Sequence, residues 1–214
     1  MTAVHVLDDP SGLSERARAF LAANATLEPV DLGPDDDTCR ARMREFLGRV
    51  DEEALASLRA VQDRWSGLTY ESPTFGGLVR FEPILDIDEP GMPITFSYAV
   101  LPSPPDGVFG GELRPDGTLL FGTFAIDEPA FPSLETFIES EALLAWARTR
   151  PSAGPPLDDA RLAELLAGRL GLRRIEQACG YHVSWWTDGE ILIQHRTPAG
   201  YLPVDEPQAW RWLA

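Results

Sequence analysis

Two histidines, His182 and His195, flank the pair Asp188-Gly189. Imidazoles facing one another across a hairpin could share a Zn²⁺ ion or act as acid and base. Zinc needs a third ligand, and no residue near either histidine is marked for that role. Packing of two half-buried rings beside Ser184 and Trp186 is therefore the favoured reading. A second set is Asp86, Asp88, Glu89, Asp127 and Glu128. Paired carboxylates do general acid–base work when one is desolvated enough to raise its pKa. Acids beside prolines at strand ends are ordinarily solvated, so these five suit a partner-binding surface better than a catalytic pair. A third set is aromatic: Tyr98, Phe121, Phe124 and Trp186 could line an apolar ligand pocket against a sheet. The sequence has no glycine-rich phosphate loop, no Gly-x-Ser-x-Gly elbow and no His-Glu-x-x-His helix. No catalytic residue, metal ligand or cofactor is assigned.

The elements that must carry these residues begin with helices. Asp9-Pro10 is expected to open a first helix through Leu13, Ala17, Phe20 and Leu21. Asp35-Asp36-Asp37 precedes Cys39, Met43, Phe46 and Leu47, and Asp51-Glu52-Glu53 precedes Leu55, Leu58, Val61 and Trp65. Both acidic runs complement the positive end of a helix, and Gly67 supplies a left-handed stop. From Gly77 the pattern turns to short β-branched and aromatic runs: Leu78 to Ile87, Ile94 to Leu101, Phe109 to Leu113 and Thr118 to Phe124. Asp116-Gly117 marks a hairpin that Pro115 can lengthen. Ser133 then caps a helix to about Arg148.

Arg150 to Pro156 reads as a Pro/Gly-rich linker. Beyond it, Asp158 or Asp159 caps a helix ending at Gly171. A hairpin of Tyr181 to Thr187 with Glu190 to Arg196 follows, and a two-residue loop at Asp188-Gly189 would pair Trp186 with Ile191, Trp185 with Leu192, and His182 with His195. Trp210 and Trp212 share a strand-like face. Ile-Asp-Glu-Pro or a near copy recurs at Ile87 to Pro90, Ile126 to Pro129 and Val204 to Pro207. Each follows an apolar run and reads as a strand exit; functionally, such exits would gather carboxylates on one edge of the sheet.

The chain of 214 residues has a formal net charge of -16, and its 18 basic residues are all arginine. Residues 51–150 hold 17 acids against 6 arginines, most of the excess. Such a surface repels nucleic-acid phosphates, whose binding runs on Lys and Arg displacing counterions. It attracts a basic protein and speeds its capture. Cys39 and Cys179 stand outside any metal or redox spacing. With no signal-like start and no apolar run of membrane-spanning length, a cytoplasmic location without membrane or direct nucleic-acid contact is expected.

Three features in order resemble the SUKH superfamily of bacterial toxin-immunity proteins and fungal cell-wall regulators. They are the helix ending Trp65-Ser66-Gly67-Leu68, the Phe75-Gly76-Gly77 turn into the sheet, and the helix Ser133-Leu134-Glu135-Thr136-Phe137-Ile138-Glu139-Ser140. The likeness covers about residues 40–150; residues 1–35 have no counterpart in it. It implies an α+β fold, which agrees with the order read from the residues: N-terminal helices packed on a central antiparallel sheet, with a C-terminal helix and β-hairpin. It also implies a protein that binds another protein, as an immunity protein binds its cognate toxin, and the acidity independently fits a basic nuclease as that toxin. On this reading residues 1–149 form the core with an N-terminal helical extension, 150–156 a linker, and 157–214 a helix and hairpin packed on the same core.

Overall fold

The computed structural model describes residues 4–87, 94–100, 109–123, 126–169, 171–202 and 204–214; at 97–100, 109, 123, 126 and 127 it describes the backbone alone. The fold is α+β. The helices are α1 (Glu15–Asn24), α2 (Asp36–Leu47), α3 (Glu52–Trp65), α4 (Leu134–Arg148) and α5 (Asp159–Gly168). Four begin where a cap side chain was expected: Asp35, Asp51, Ser133 and Asp158 each accept a backbone N–H of the first turn, which satisfies a donor that the helix itself cannot. The first helix differs. Asp9 only closes a turn onto the Ser11 N–H, and α1 starts later, at Ser14, whose Oγ accepts from the Ala17 N–H at 3.2 Å.

A seven-stranded antiparallel meander runs in the order β1 (Ala25–Leu27), β2 (Leu68–Ser72), β3 (Gly77–Asp86), β4 (Thr95–Val100), β5 (Phe109–Leu113), β6 (Leu119–Thr123) and β7 (Ile126–Phe131). The expected strands are present as β3 to β6, within one residue at each described end, and the expected end residues Leu101 and Phe124 lie outside the described residues. The middle Ile-Asp-Glu-Pro copy, however, is not a strand exit but the body of β7. Pro129 is tolerated there because β7 is an edge strand, with a register shift where it meets β6. Tyr98 falls at a shift between β4 and β5, a bulge position.

A second sheet of four strands, separate from the first, holds β8 (Arg173–Arg174), β9 (Val183–Thr187), β10 (Ile191–Arg196) and β11 (Gln208–Leu213) in the order β11-β10-β9-β8. The hairpin β9–β10 has a different register from the expected one. Thr187 pairs with Leu192, Trp186 with Ile193, Trp185 with Gln194 and Ser184 with His195. The cause is local: the Asp188 carboxylate accepts the Glu190 and Ile191 N–H groups at 2.9 and 3.0 Å, building a longer turn. A two-residue shift keeps each side chain on its face but separates the histidines. The stretch 150–156 is no free linker: Ser152 and, just beyond it, Leu157 bridge to Trp212 and Ala209 of β11.

Helix α4 is the axis of the molecule. Residues Phe137 to Leu144 are all buried, as expected of a helix enclosed on every side. Phe137 meets Phe121 of the large sheet with ring centroids 5.3 Å apart, while Trp185 of the small sheet donates its Nε1–H to Ser140 at 3.1 Å. One buried cluster contains Phe121, Phe137, Trp185 and Leu192, so both sheets share a core. The sheets meet edge on at Gly180, where an added Cβ would lie 2.3 Å from the Ala130 carbonyl oxygen and 2.8 Å from the Phe131 ring. The adjacent Tyr181 N–H donates to that same carbonyl at 2.9 Å. A smaller cluster, Leu162, Ile191, Ile193 and Ala209 with Trp186 against it, fills the space below α5.

Candidate functional site

The period-two pattern of β3 sorts its side chains onto two faces. Val79, Phe81, Pro83 and Leu85 are buried, while Leu78 and Arg80 are exposed and Glu82, Ile84 and Asp86 are half-buried. Ring contacts place the helices on the buried face: Trp65 of α3 lies 6.5 Å from Phe81, and Phe20 of α1 lies 5.5 Å from Tyr70. The other face carries Glu71 of β2, which pairs with Leu78. Across β4 it also carries Glu112 of β5, because Ile84, Ser97 and Glu112 lie in one row. Glu71, Glu82, Asp86 and Glu112 thus share a sheet face with Arg80 and Leu78. Arg80 pairs with Glu82 at 2.5 Å, which leaves the face net negative. Leu78 is 65% exposed at its edge.

Of the expected carboxylate set, Asp86 has its side chain on this face, and the backbone position of Asp127 falls in the row of Arg80 through Val100, Gly110 and Gly122. Asp88 and Glu89 lie outside the described residues. Asp127 pairs with Gly122 and Glu128 with Phe121 at the start of β7. The row at Asp86 runs through Thr95 and the neighbouring Phe96–Leu113–Leu119 pairs to Phe131, at the far end of β7. The expected gathering on one edge therefore does not occur: Asp86 and the Asp127–Glu128 pair stand at opposite ends of the sheet, four strands apart. Glu128 turns to the small sheet side, where its carboxylate accepts the Gly200 N–H at 2.9 Å.

The aromatic set is not assembled either. Phe121 is 1% exposed and packs on Phe75, Phe137 and Tyr201. Trp186 sits in the other sheet, on the face turned toward α5. Phe124 lies outside the described residues, as does the side chain of Tyr98. The histidines have separate partners: His182 Nδ1 bonds the Thr197 hydroxyl at 3.1 Å, and His195 Nε2 bonds the Asp159 carboxylate at 2.8 Å. Among the described residues no three His, Cys, Asp or Glu side chains gather at metal-binding distance.

What the sequence reading missed is a buried ionisable centre on α4. Glu139, Ser140 and Glu141 are consecutive and all buried, yet each reaches a different layer. Glu139 accepts from the Ser14 N–H at 2.5 Å and the Ser14 hydroxyl at 2.7 Å. Ser140 serves Trp185, as above. Glu141, 0% exposed, accepts from the hydroxyls of Ser72 and Thr74 in the β2–β3 turn. Burial raises its pKa above the ordinary glutamate value, opposed by those two hydroxyls and by Arg196. Arg196, 6% exposed, has its own pKa lowered by burial and raised back by Glu141. Its Nε–H donates to Gln194 at 3.2 Å and its guanidinium lies 5.6 Å from the Trp210 ring centroid. Nearby, burial pushes the Tyr201 phenol above its ordinary value. Since both Glu141 oxygens are taken by the turn, this centre ties α4 to both sheets and offers no free base.

No protein-family model, curated protein or solved structure matches the chain. Among the described residues no helix is long and apolar enough to cross a membrane.

Proposed function

We propose that the protein is a SUKH-type binding module, an immunity protein that neutralises a basic toxin by docking it on the outer face of the seven-stranded sheet. The observation that carries this reading is the set Glu71, Glu82, Asp86 and Glu112, sharing that face with one arginine around the exposed Leu78. Carboxylates at the rim of an apolar spot give charge complementarity to a cationic partner, mainly by speeding encounter. The chain order of helices, meander and Ser133-capped helix supports the family resemblance, and the net charge of -16 supports a basic partner. A nuclease fits best, because its phosphate-binding cleft is itself cationic. The same charge disfavours direct contact with nucleic acid, and the cytoplasm is where such a complex would protect the producing cell.

The test is a pull-down from lysate of the source cells at low and at high salt, with the tagged protein and its Glu71→Gln, Glu82→Gln, Asp86→Asn, Glu112→Gln variant. The expected result is one stoichiometric basic protein, retained by the wild type at low salt and recovered on the order of tenfold less by the variant. A partner that binds the folded variant with unchanged affinity and salt dependence overturns the assignment of this face.

A further inference from the structure

On the helical side of the molecule, away from the acidic sheet face, a groove of about 760 Å³ runs between α1, α4 and the β9–β10 hairpin. Its walls are Arg16 and Ala19 from α1, Leu143 and Trp146 from α4, Ile175 before β9, and Leu192 of β10. This size is usual for small-molecule sites, which are apolar with a few placed polar groups. The polar group here is Arg16. It is half-buried, with its guanidinium 5.7 Å from the Trp146 ring centroid, and it makes no hydrogen bond or salt bridge among the described residues. The nearby carboxylate of Glu139 is committed to Ser14 through both oxygens. Arg150 also lies over the Trp146 ring, at 4.5 Å, so the indole is in contact with two cations. A desolvated cation without a bonded carboxylate is costly unless an anion completes it. Burial lowering the Arg16 pKa is the same cost seen from the proton's side. Glu15 also lines the groove, which disfavours a polyanion and leaves room for a single negative charge.

We propose that this groove binds an amphipathic organic monoanion, with its acid group on Arg16 and its apolar body along Leu143, Trp146, Ile175 and Leu192. The charge is met by the one uncommitted guanidinium of the wall, and the body replaces water over the half-buried Trp146 and Ile175, with the buried Leu143 and Leu192 beneath them. The site shares no residue with the acidic sheet face, so either assignment stands or falls without the other.

Decanoate is the probe and decanol its uncharged counterpart, followed by tryptophan fluorescence and titration calorimetry on the full chain. Saturable one-to-one binding of decanoate is expected, weakened about tenfold by Arg16→Gln, the size of one charge-assisted hydrogen bond. Decanol binding should be indifferent to that substitution. Ala19 is an exposed helix position, so Ala19→Phe can fill the groove without touching the core, and it should abolish binding while leaving the melting curve in place. The proposal is overturned by any of three results: no saturable decanoate binding to the wild type, equal binding by the folded Arg16→Gln variant, or undiminished binding by Ala19→Phe.

Discussion

Replacing Glu141 by leucine removes the acceptor that the Ser72 and Thr74 hydroxyls share and the carboxylate that offsets the burial of Arg196. A hydrogen bond to a charged group contributes about 1.5–3 kcal/mol, and removing one partner of a buried charge pair costs about 3–5 kcal/mol. These are two views of one group, so the expected loss is about 3–5 kcal/mol and not their sum. For a chain of this length each kcal/mol moves Tm by about 2–4 °C, which puts the variant roughly 6–20 °C below the wild type. Urea unfolding followed by tryptophan fluorescence gives the free energy directly. The double variant Glu141→Leu, Arg196→Met should recover much of the loss, because it leaves no buried charge unmatched. The pH dependence gives an independent reading through Glu141→Gln, which stays neutral throughout. In the wild type, burial raises the native pKa above the ordinary 4.5. The native state therefore holds this proton more tightly than the unfolded chain, and the contribution to stability is greatest below that value and is lost as pH rises through the native pKa. The stability difference should thus move in favour of the Gln variant over that window. A loss below about 1 kcal/mol in Glu141→Leu, a double variant as damaged as the sum of the singles, or a pH-independent Gln difference would refute the tie between layers.

Gly180→Ala forces a methyl into the Ala130 carbonyl and the Phe131 ring where the two sheets meet; a loss of about 1–3 kcal/mol in urea unfolding is expected, and a neutral effect would mean that the junction is not close-packed. Cys39 is 0% exposed and burial raises its thiol pKa, so alkylation at mildly alkaline pH should proceed only as fast as the protein opens. Labelling of the native protein at the rate of a free thiol would contradict that burial.

The helix starts were legible because capping is local. Asp35, Asp51, Ser133 and Asp158 each act within three residues of themselves, and no knowledge of the rest of the chain is needed to place them. The strand runs were legible for a similar reason, since alternation and β-branching are properties of a few neighbours. The hairpin register was not, because a single Asp188 carboxylate accepting two backbone N–H groups moved the pairing by two residues. The acidic face was within reach: Leu78, Arg80, Glu82, Ile84 and Asp86 alternate with apolar residues through β3. The repeated Ile-Asp-Glu-Pro pointed to Asp127 and Glu128 as well, and of these two the Asp127 position falls in the row of Arg80 while Glu128 falls in that of the buried Phe81.

That repeat shows why a site resists sequence reading even when its elements do not. In an antiparallel meander direction alternates with each strand, so which end of the sheet a segment occupies depends on counting every strand before it. The first copy follows β3 and the second lies in β7, and these two strands run the same way. One copy begins at the end of its strand and the other at the start, so Ile87 and Ile126 stand toward opposite ends of the sheet. The same dependence on remote elements divides the glutamates. Glu82 and Glu141 are the same residue type, and each lies on an element with apolar neighbours. Glu82 stays half-exposed because the helices cover only the other face of β3, whereas Glu141 is sealed because a second sheet, contributed by residues 173–213, closes the side of α4 that would otherwise be solvated. Leu134, Phe137, Ile138 and Ala145 fall on one side of a helix, and their spacing alone predicts one buried stripe. Only the later strands make the opposite side of α4 an interior, with Trp185 on Ser140, while the acids beside it bond to Ser14, Ser72 and Thr74 on earlier elements.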